Sequence, residues 1–178
     1  MLSFIPYLSL NTLSYFSYDF PQYVLPLTEE AKNHIVKFYK IDPKKIIVME
    51  HGVDLDIFKF QEKETHLPFI IMYSGALVES YNFKILLEAA KKLKHKNFQF
   101  VIRGKGLLLE ELKMKKHELN LTNVLIDSTL VENEQLSSVL STADIFLVPM
   151  KDNYFLNLSL PTKILEYQAL GRPIICLS

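Results

Sequence analysis

An α/β fold, with a parallel sheet covered by helices on both faces, is predicted for residues 61–178 by two observations. Short apolar runs alternate regularly with helical patterns there, and the apolar runs are continuous instead of alternating with polar residues. Strand–helix alternation implies crossover connections and a parallel sheet, and unbroken apolar strands imply that both faces are covered. In such sheets ligands bind beyond the carboxyl ends of the strands, so function is expected in the loops after Tyr73, Arg103, Ile126 and Pro149.

Each element has its own local signal. "PFIIMYSG" reads as a strand ending in Gly75, and "NFKILLEAAKKLKHK" as a helix with Phe83, Leu86, Leu87, Ala90 and Leu93 on one face. "FQFVIRGKG" is a second strand, "LLLEELKMKKHELN" a second helix, and "NVLI" a short third strand. "VENEQLSSVLSTA" and "DIFLVPM" continue the alternation, and "PTKILEYQALG" opens a last helix, with Gly171 as its C′ residue, before the strand "PIICL". Upstream, "TEEAKNHIVKFYKI" has Thr28 as N-cap, Glu29 and Glu30 in the first turn, and Asp42-Pro43 as a stop. "KIIVM" reads as a strand and the polar run "QEKETHL" as a linker. The opening stretch "MLSFIPYLSLNTLSYFSYDFPQY" lacks the basic start of a signal peptide. It is broken by Pro6 and Asn11 well short of a membrane span, and is expected to form buried strands or loops of another domain. The chain is thus expected to divide into 1–60 and 61–178, and to be cut at both ends.

Composition bounds the chemistry. Twenty acidic and 20 basic side chains leave no net charge, which argues against a nucleic-acid binder working by counterion release. Cys176 is the lone cysteine, so no intrachain disulfide forms and a reducing cytosol is the natural setting. The five histidines are scattered without metal-ligand spacing, and no metal site is expected. The lysine runs 91–96 and 113–118 sit late in their helices, where positive charge complements the dipole. They read mainly as solvated faces. "NLT" at 120 and "NLS" at 157 match the N-glycosylation pattern but would be idle in a cytosolic protein.

Three stretches could carry chemistry. Gly75, at a strand end before a helix, would let backbone N–H groups approach a phosphate, although a turn glycine explains it alone. "RGKG", Arg103 to Gly106, brings two glycines and two cations to a strand's carboxyl end. It serves a phosphate contact and a tight turn equally well. Lys163 falls in the first turn of the last helix, against a dipole interaction worth roughly 0.3–1 kcal/mol. Glu166 lies on the same side, one turn on. Either the two form a surface pair, or an anion sits at the helix start with Glu166 accepting from ligand hydroxyls.

In this order the motifs resemble those of retaining family 4 glycosyltransferases with the GT-B fold. "IIVMEHGVDLDIF" is similar to their interdomain segment, and "IMYSGALVESYNFKILLEAAKKL" to the start of their Rossmann-like nucleotide-sugar domain. "FVIRGKG", "TNVLIDSTL", "LSTADIFLVPM" and "LPTKILEYQALGRPII" follow in order, the last resembling the "PSK…EY" branch that builds cell-surface polysaccharides. The resemblance implies that Thr162, Lys163 and Ile164 hold the donor diphosphate, that Gly75 lies against it, and that Glu166 binds the ribose. It places Arg103, Gly104 and Lys105 near the phosphates or base and Ser128, Thr129 and Leu130 near the base. Arg103 and Lys163 are the expected catalytic cations. The sequence departs from the family where Leu158 replaces a sugar-binding glutamate, for which Asp152, Asn153 or Asn157 would have to substitute. It departs again where Ala76 and Tyr81 replace two phosphate cations.

What the resemblance implies is sugar transfer from a nucleotide-diphosphate donor with retention, without a metal or other cofactor. The acceptor would be a glycan or lipid-linked, and the setting cytoplasmic, at the inner face of a membrane. This chain would carry mainly the donor-binding half and be inactive alone. The competing reading is a non-catalytic module of the same fold that assembles with a partner chain.

Overall fold

The computed structural model describes residues 4–64 and 66–177. Its contacts divide the chain into two units, one running to His51 together with Asn157–Leu160, the other comprising Gly52–Leu156 and Pro161–Ser178.

In the first unit, the stretch expected to form buried strands or loops is instead a helix, α1 (Phe4–Asp19). Pro6 falls in its first turn, where no intrahelical acceptor exists for an N–H, so the ring costs the helix nothing there. Nor are the later residues of the stretch uniformly buried: Leu13, Phe16 and the following Phe20 are exposed, while Tyr18 packs edge-on against Tyr39 with centroids 4.9 Å apart. Met1–Ser3 lie outside the described residues. Helix α2 (Glu29–Tyr39) forms as its signals predict, with the Ala31 N–H donating to Thr28 Oγ1 at 3.1 Å. Ile35, Ile41 and Ile46 make the small core of this unit. "KIIVM" is not a full strand: Ile46 bridges Val24, and the Val24, Ile47 and Met49 N–H groups bond across. The pairing stops because its partner segment contains Pro26, which accepts from Met49 but has no N–H to return.

The second unit is the predicted α/β layer. Its strands are β1 (Phe69–Ser74), β2 (Phe98–Arg103), β3 (Val124–Asp127), β4 (Ile145–Pro149) and β5 (Ile174–Leu177). They lie all parallel in the order β3-β2-β1-β4-β5. Helices α3 (Phe83–Lys92) and α4 (Leu109–Glu118) cover one face, where Phe83, Leu86, Leu87, Ala90 and Leu112 pack on Tyr73, Phe100, Ile102 and Val124. Helices α5 (Asn133–Ser141) and α6 (Thr162–Ala169) cover the other, with Leu140, Tyr167 and Leu170 against Met72, Val101, Phe146 and Val148. Chain order reverses between β1 and β4, which makes the carboxyl ends of these two strands the switch point where ligands of such sheets bind.

The polar run 61–67 is more than a tether. The Lys63 ammonium reaches Asp144 Oδ1 at 2.6 Å and the Thr142 carbonyl at 2.5 Å, while the Ile70 N–H donates to Asp144 Oδ2 at 2.6 Å. A pair of opposite charges, 13% and 9% exposed, therefore anchors the segment beside the start of β1.

Candidate functional site

The site grows from the end of β1. Beyond Ser74 the parallel ladder continues into the loops, with the Gly75 N–H donating to the Arg103 carbonyl at 2.9 Å and the Leu77 N–H to the Lys105 carbonyl at 2.8 Å. Two glycines make this approach possible. A Cβ on Gly104 would fall 1.8 Å from the Gly75 carbonyl oxygen, and one on Gly75 would fall 2.3 Å from Lys163 Nζ; both residues have strongly positive φ. The loop after β1 is also tied to the exit of β4. Tyr81 bridges Met150, the Asn82 N–H donates to the Pro149 carbonyl at 2.6 Å, and the Lys151 N–H donates to that of Ser80 at 2.9 Å.

Helix α6 enters this crevice with its N-terminus. Its N-cap is Pro161, which has no side chain able to cap, so α6 begins without a side-chain cap; the Ile164 N–H, expected at the diphosphate, donates instead to the Pro161 carbonyl at 3.0 Å, which leaves those of Thr162 and Lys163 for an acceptor. Lys163, in that first turn, does not pair with Glu166 as a surface ion pair would. Its ammonium donates to Tyr73 Oη at 2.9 Å and lies over the rings of Tyr73 and Tyr81, 4.3 and 4.2 Å from their centroids. Burial pushes its pKa down to about 8, against a smaller upward pull from Glu166. Burial likewise raises Glu166, and Lys163 partly opposes that rise. The phenols of Tyr73, Tyr81 and Tyr167 are all held above their ordinary value, burial being the first cause in each.

The residues singled out by the sequence separate into those the fold gathers and those it employs otherwise. Gly75, Gly104, Lys163 and Glu166 converge on the ends of β1 and β2 and the start of α6, and Thr162 and Ile164 share that helix start. Arg103 is buried and committed elsewhere: its guanidinium pairs with Asp127 and donates to the Thr129 carbonyl at 2.7 Å. The Thr129 N–H in turn donates to Asp127 Oδ1 at 2.8 Å, so Arg103 braces the Ser128–Leu130 loop. Lys105, Thr129 and Leu130 are exposed. Asn153 Oδ1 accepts from the Phe155 N–H at 2.9 Å. Sequence reasoning missed Tyr73, Tyr81 and Tyr167. Aromatics on a strand or helix face read as core, and only the topology brings 73, 81 and 163 together.

Comparison with known proteins agrees with this fold. Residues 54–178 match the family described as "Glycosyl transferases group 1". The chain is 32% identical over 164 residues to the UDP-Gal:alpha-D-GlcNAc-diphosphoundecaprenol alpha-1,3-galactosyltransferase of Escherichia coli, covering 84% of this chain and 41% of that protein. It is 24% identical to the chitobiosyldiphosphodolichol beta-mannosyltransferase of Debaryomyces hansenii, over 89% of this chain and 39% of that one. It therefore spans about two-fifths of the length of these curated relatives. Among solved structures, Anabaena Alr3699/HepE in complex with UDP and glucose superposes with a TM-score of 0.73 at 12% identity, over 93% of this chain and 47% of that one. A glycosyltransferase from Rickettsia africae gives 0.71 at 22% identity, over 87% and 44%. Such low identities establish the shared fold alone. The matched family model, covering most of the chain, establishes more: this chain belongs to the group 1 glycosyl transferases.

Proposed function

We propose that the chain carries the donor-binding half of a family 4 glycosyltransferase, one that takes a sugar from a nucleotide diphosphate with retention of configuration and needs no metal. The observation that carries this reading is the Lys163 ammonium, held against Gly75 beside the uncapped start of α6. Backbone N–H groups and an ammonium together make an anion site at a helix N-terminus. In the reaction the bond between the anomeric carbon and the diphosphate oxygen breaks, the acceptor's hydroxyl oxygen bonds to that carbon on the same face, and the hydroxyl proton passes to the departing diphosphate. The Lys163 ammonium and the N–H groups of Thr162 and Lys163 stabilise the negative charge left on the diphosphate, while the Ile164 N–H stays with the Pro161 carbonyl at 3.0 Å. Glu166 accepts from the ribose hydroxyls, and Arg103 acts through the Ser128–Leu130 loop that borders the base. The acceptor is a lipid-linked glycan, as the diphosphoundecaprenol and diphosphodolichol in the names of the two relatives support, and the work is done at the cytoplasmic face of a membrane. Among the described residues no helix is long and apolar enough to cross a membrane.

Titration calorimetry of the chain with UDP, GDP, their sugars and inorganic pyrophosphate tests the assignment. Lys163→Ala is expected to weaken every diphosphate by about ten- to a hundredfold, the scale of a lost charge-assisted hydrogen bond. Glu166→Ala is expected to weaken the nucleotides and leave pyrophosphate unchanged. Failure of the folded wild type to bind any nucleotide would sink the donor-site reading.

A further inference from the structure

The Lys163 ammonium is held from three sides without a carboxylate. Tyr73 Oη accepts from it at 2.9 Å and is itself anchored by donating to the Ala76 carbonyl at 2.6 Å. The faces of Tyr73 and Tyr81 lie 4.3 and 4.2 Å from Nζ, and Gly75 leaves the space that Nζ fills. Both rings are fixed in turn. They meet each other edge-on with centroids 5.2 Å apart, Tyr73 meets Phe83 at 4.9 Å, and Tyr81 is bridged to Met150 at the exit of β4. The other titratable groups facing this point are Glu166 and Tyr167 on α6, and Glu166 makes no ion pair with Lys163 although it lies one turn away. A carboxylate partner would neutralise the lysine and compete with an incoming anion. Ring faces and a phenol oxygen orient the charge without neutralising it.

We infer that Tyr73 and Tyr81 are positioning residues that hold Lys163 ready for the donor's diphosphate, desolvating and orienting the ammonium while leaving its charge open to the anion. This rests on the reading of Lys163 as a diphosphate ligand. The depressed pKa of Lys163 accords with an ammonium whose desolvation outweighs the pull of Glu166. When a diphosphate binds, the amine gains a true counter-ion, its pKa rises, and it stays protonated through a higher pH range.

The test follows the Lys163 titration directly, by NMR of its Cε in the lysine-labelled 178-residue chain, assigned with Lys163→Arg. Calorimetry with UDP runs in parallel. Wild type is expected to titrate near 8. Tyr81→Leu admits water where the ring stood and is expected to move the midpoint up toward 10.5 and weaken UDP about tenfold, within the range of a desolvated cation–π contact. Tyr81→Phe keeps the ring and is expected to restore both. Tyr73→Phe preserves the packing but removes the phenol acceptor, and is expected to weaken UDP while the protein stays folded. An unchanged Lys163 midpoint in Tyr81→Leu overturns the inference whatever the nucleotide does. No UDP binding by wild type, with the midpoint still responding to Tyr81→Leu, sinks the donor-site reading and the positioning role with it, and leaves the cage as a feature of the fold alone.

Discussion

The hydroxyl of Tyr167 on α6 holds both backbone groups of Ser74, the last residue of β1: it accepts from the Ser74 N–H at 3.0 Å and donates to the Ser74 carbonyl at 2.9 Å. The ring is fixed by stacking on Phe146 at a centroid distance of 3.6 Å. One side chain thus fastens the helix that carries Lys163 to the strand that carries Tyr73. Tyr167→Phe keeps the packing but strips partners from two partly buried backbone groups, at a cost of about 1–3 kcal/mol. Urea unfolding measures that loss, and weaker UDP binding is expected with it.

Lys163 makes stability and binding depend on pH in opposite senses. Its pKa is about 8 when folded and 10.5 in the ordinary state, so between these values the unfolded chain binds more protons. The contribution of Lys163 to stability is fully present above the unfolded value and is lost as pH falls through about 8. Urea melts across this window should show that rise in wild type relative to Lys163→Met. Diphosphate affinity should fall as pH climbs above 8, with proton uptake on binding detected by calorimetry in buffers of different ionisation enthalpy.

Asp127 orders the loop beside the proposed base site through Arg103 and the Thr129 N–H. Asp127→Asn is expected to cost about 1.5–3 kcal/mol, the scale of a lost hydrogen bond to a charged group. Hydrogen exchange should show lost protection at Thr129, whose N–H donates to the carboxylate.

Asp144 is the partner of Lys63 and also of the Ile70 N–H. Asp144→Ala leaves a nearly buried ammonium without its counter-charge and is expected to cost about 3–5 kcal/mol in chemical denaturation. The double variant Lys63→Met with Asp144→Leu is expected to recover most of that loss, because it removes both charges.

The sheet was legible because each strand announces itself locally. "FIIMYS", "FQFVIR" and "IFLVP" are unbroken apolar runs, and Thr28 sets the start of α2 by its own hydroxyl. Elements governed by a distant partner were not legible. Whether "KIIVM" becomes a strand depends on Pro26, some twenty residues away, and the aromatic opening stretch carries no periodicity that separates a helix from strands or loops. The same division runs through the site. Gly75 and Lys163 stand out by residue type at a strand end and a helix start, whereas Arg103 looks like a ligand cation until Asp127 is seen beside it. Tyr81 is an ordinary loop aromatic until the fold sets it against a residue 82 positions on.

The backbone bonds from Asn82 to Pro149 and from Lys151 to Ser80 join the two loops that flank the switch point. While these bonds hold, the two loops move as one, and the mouth of the crevice is closed by a hoop of backbone. Accommodation of donors of different breadth is therefore expected from residues 152–156, which follow the hoop and belong to no strand.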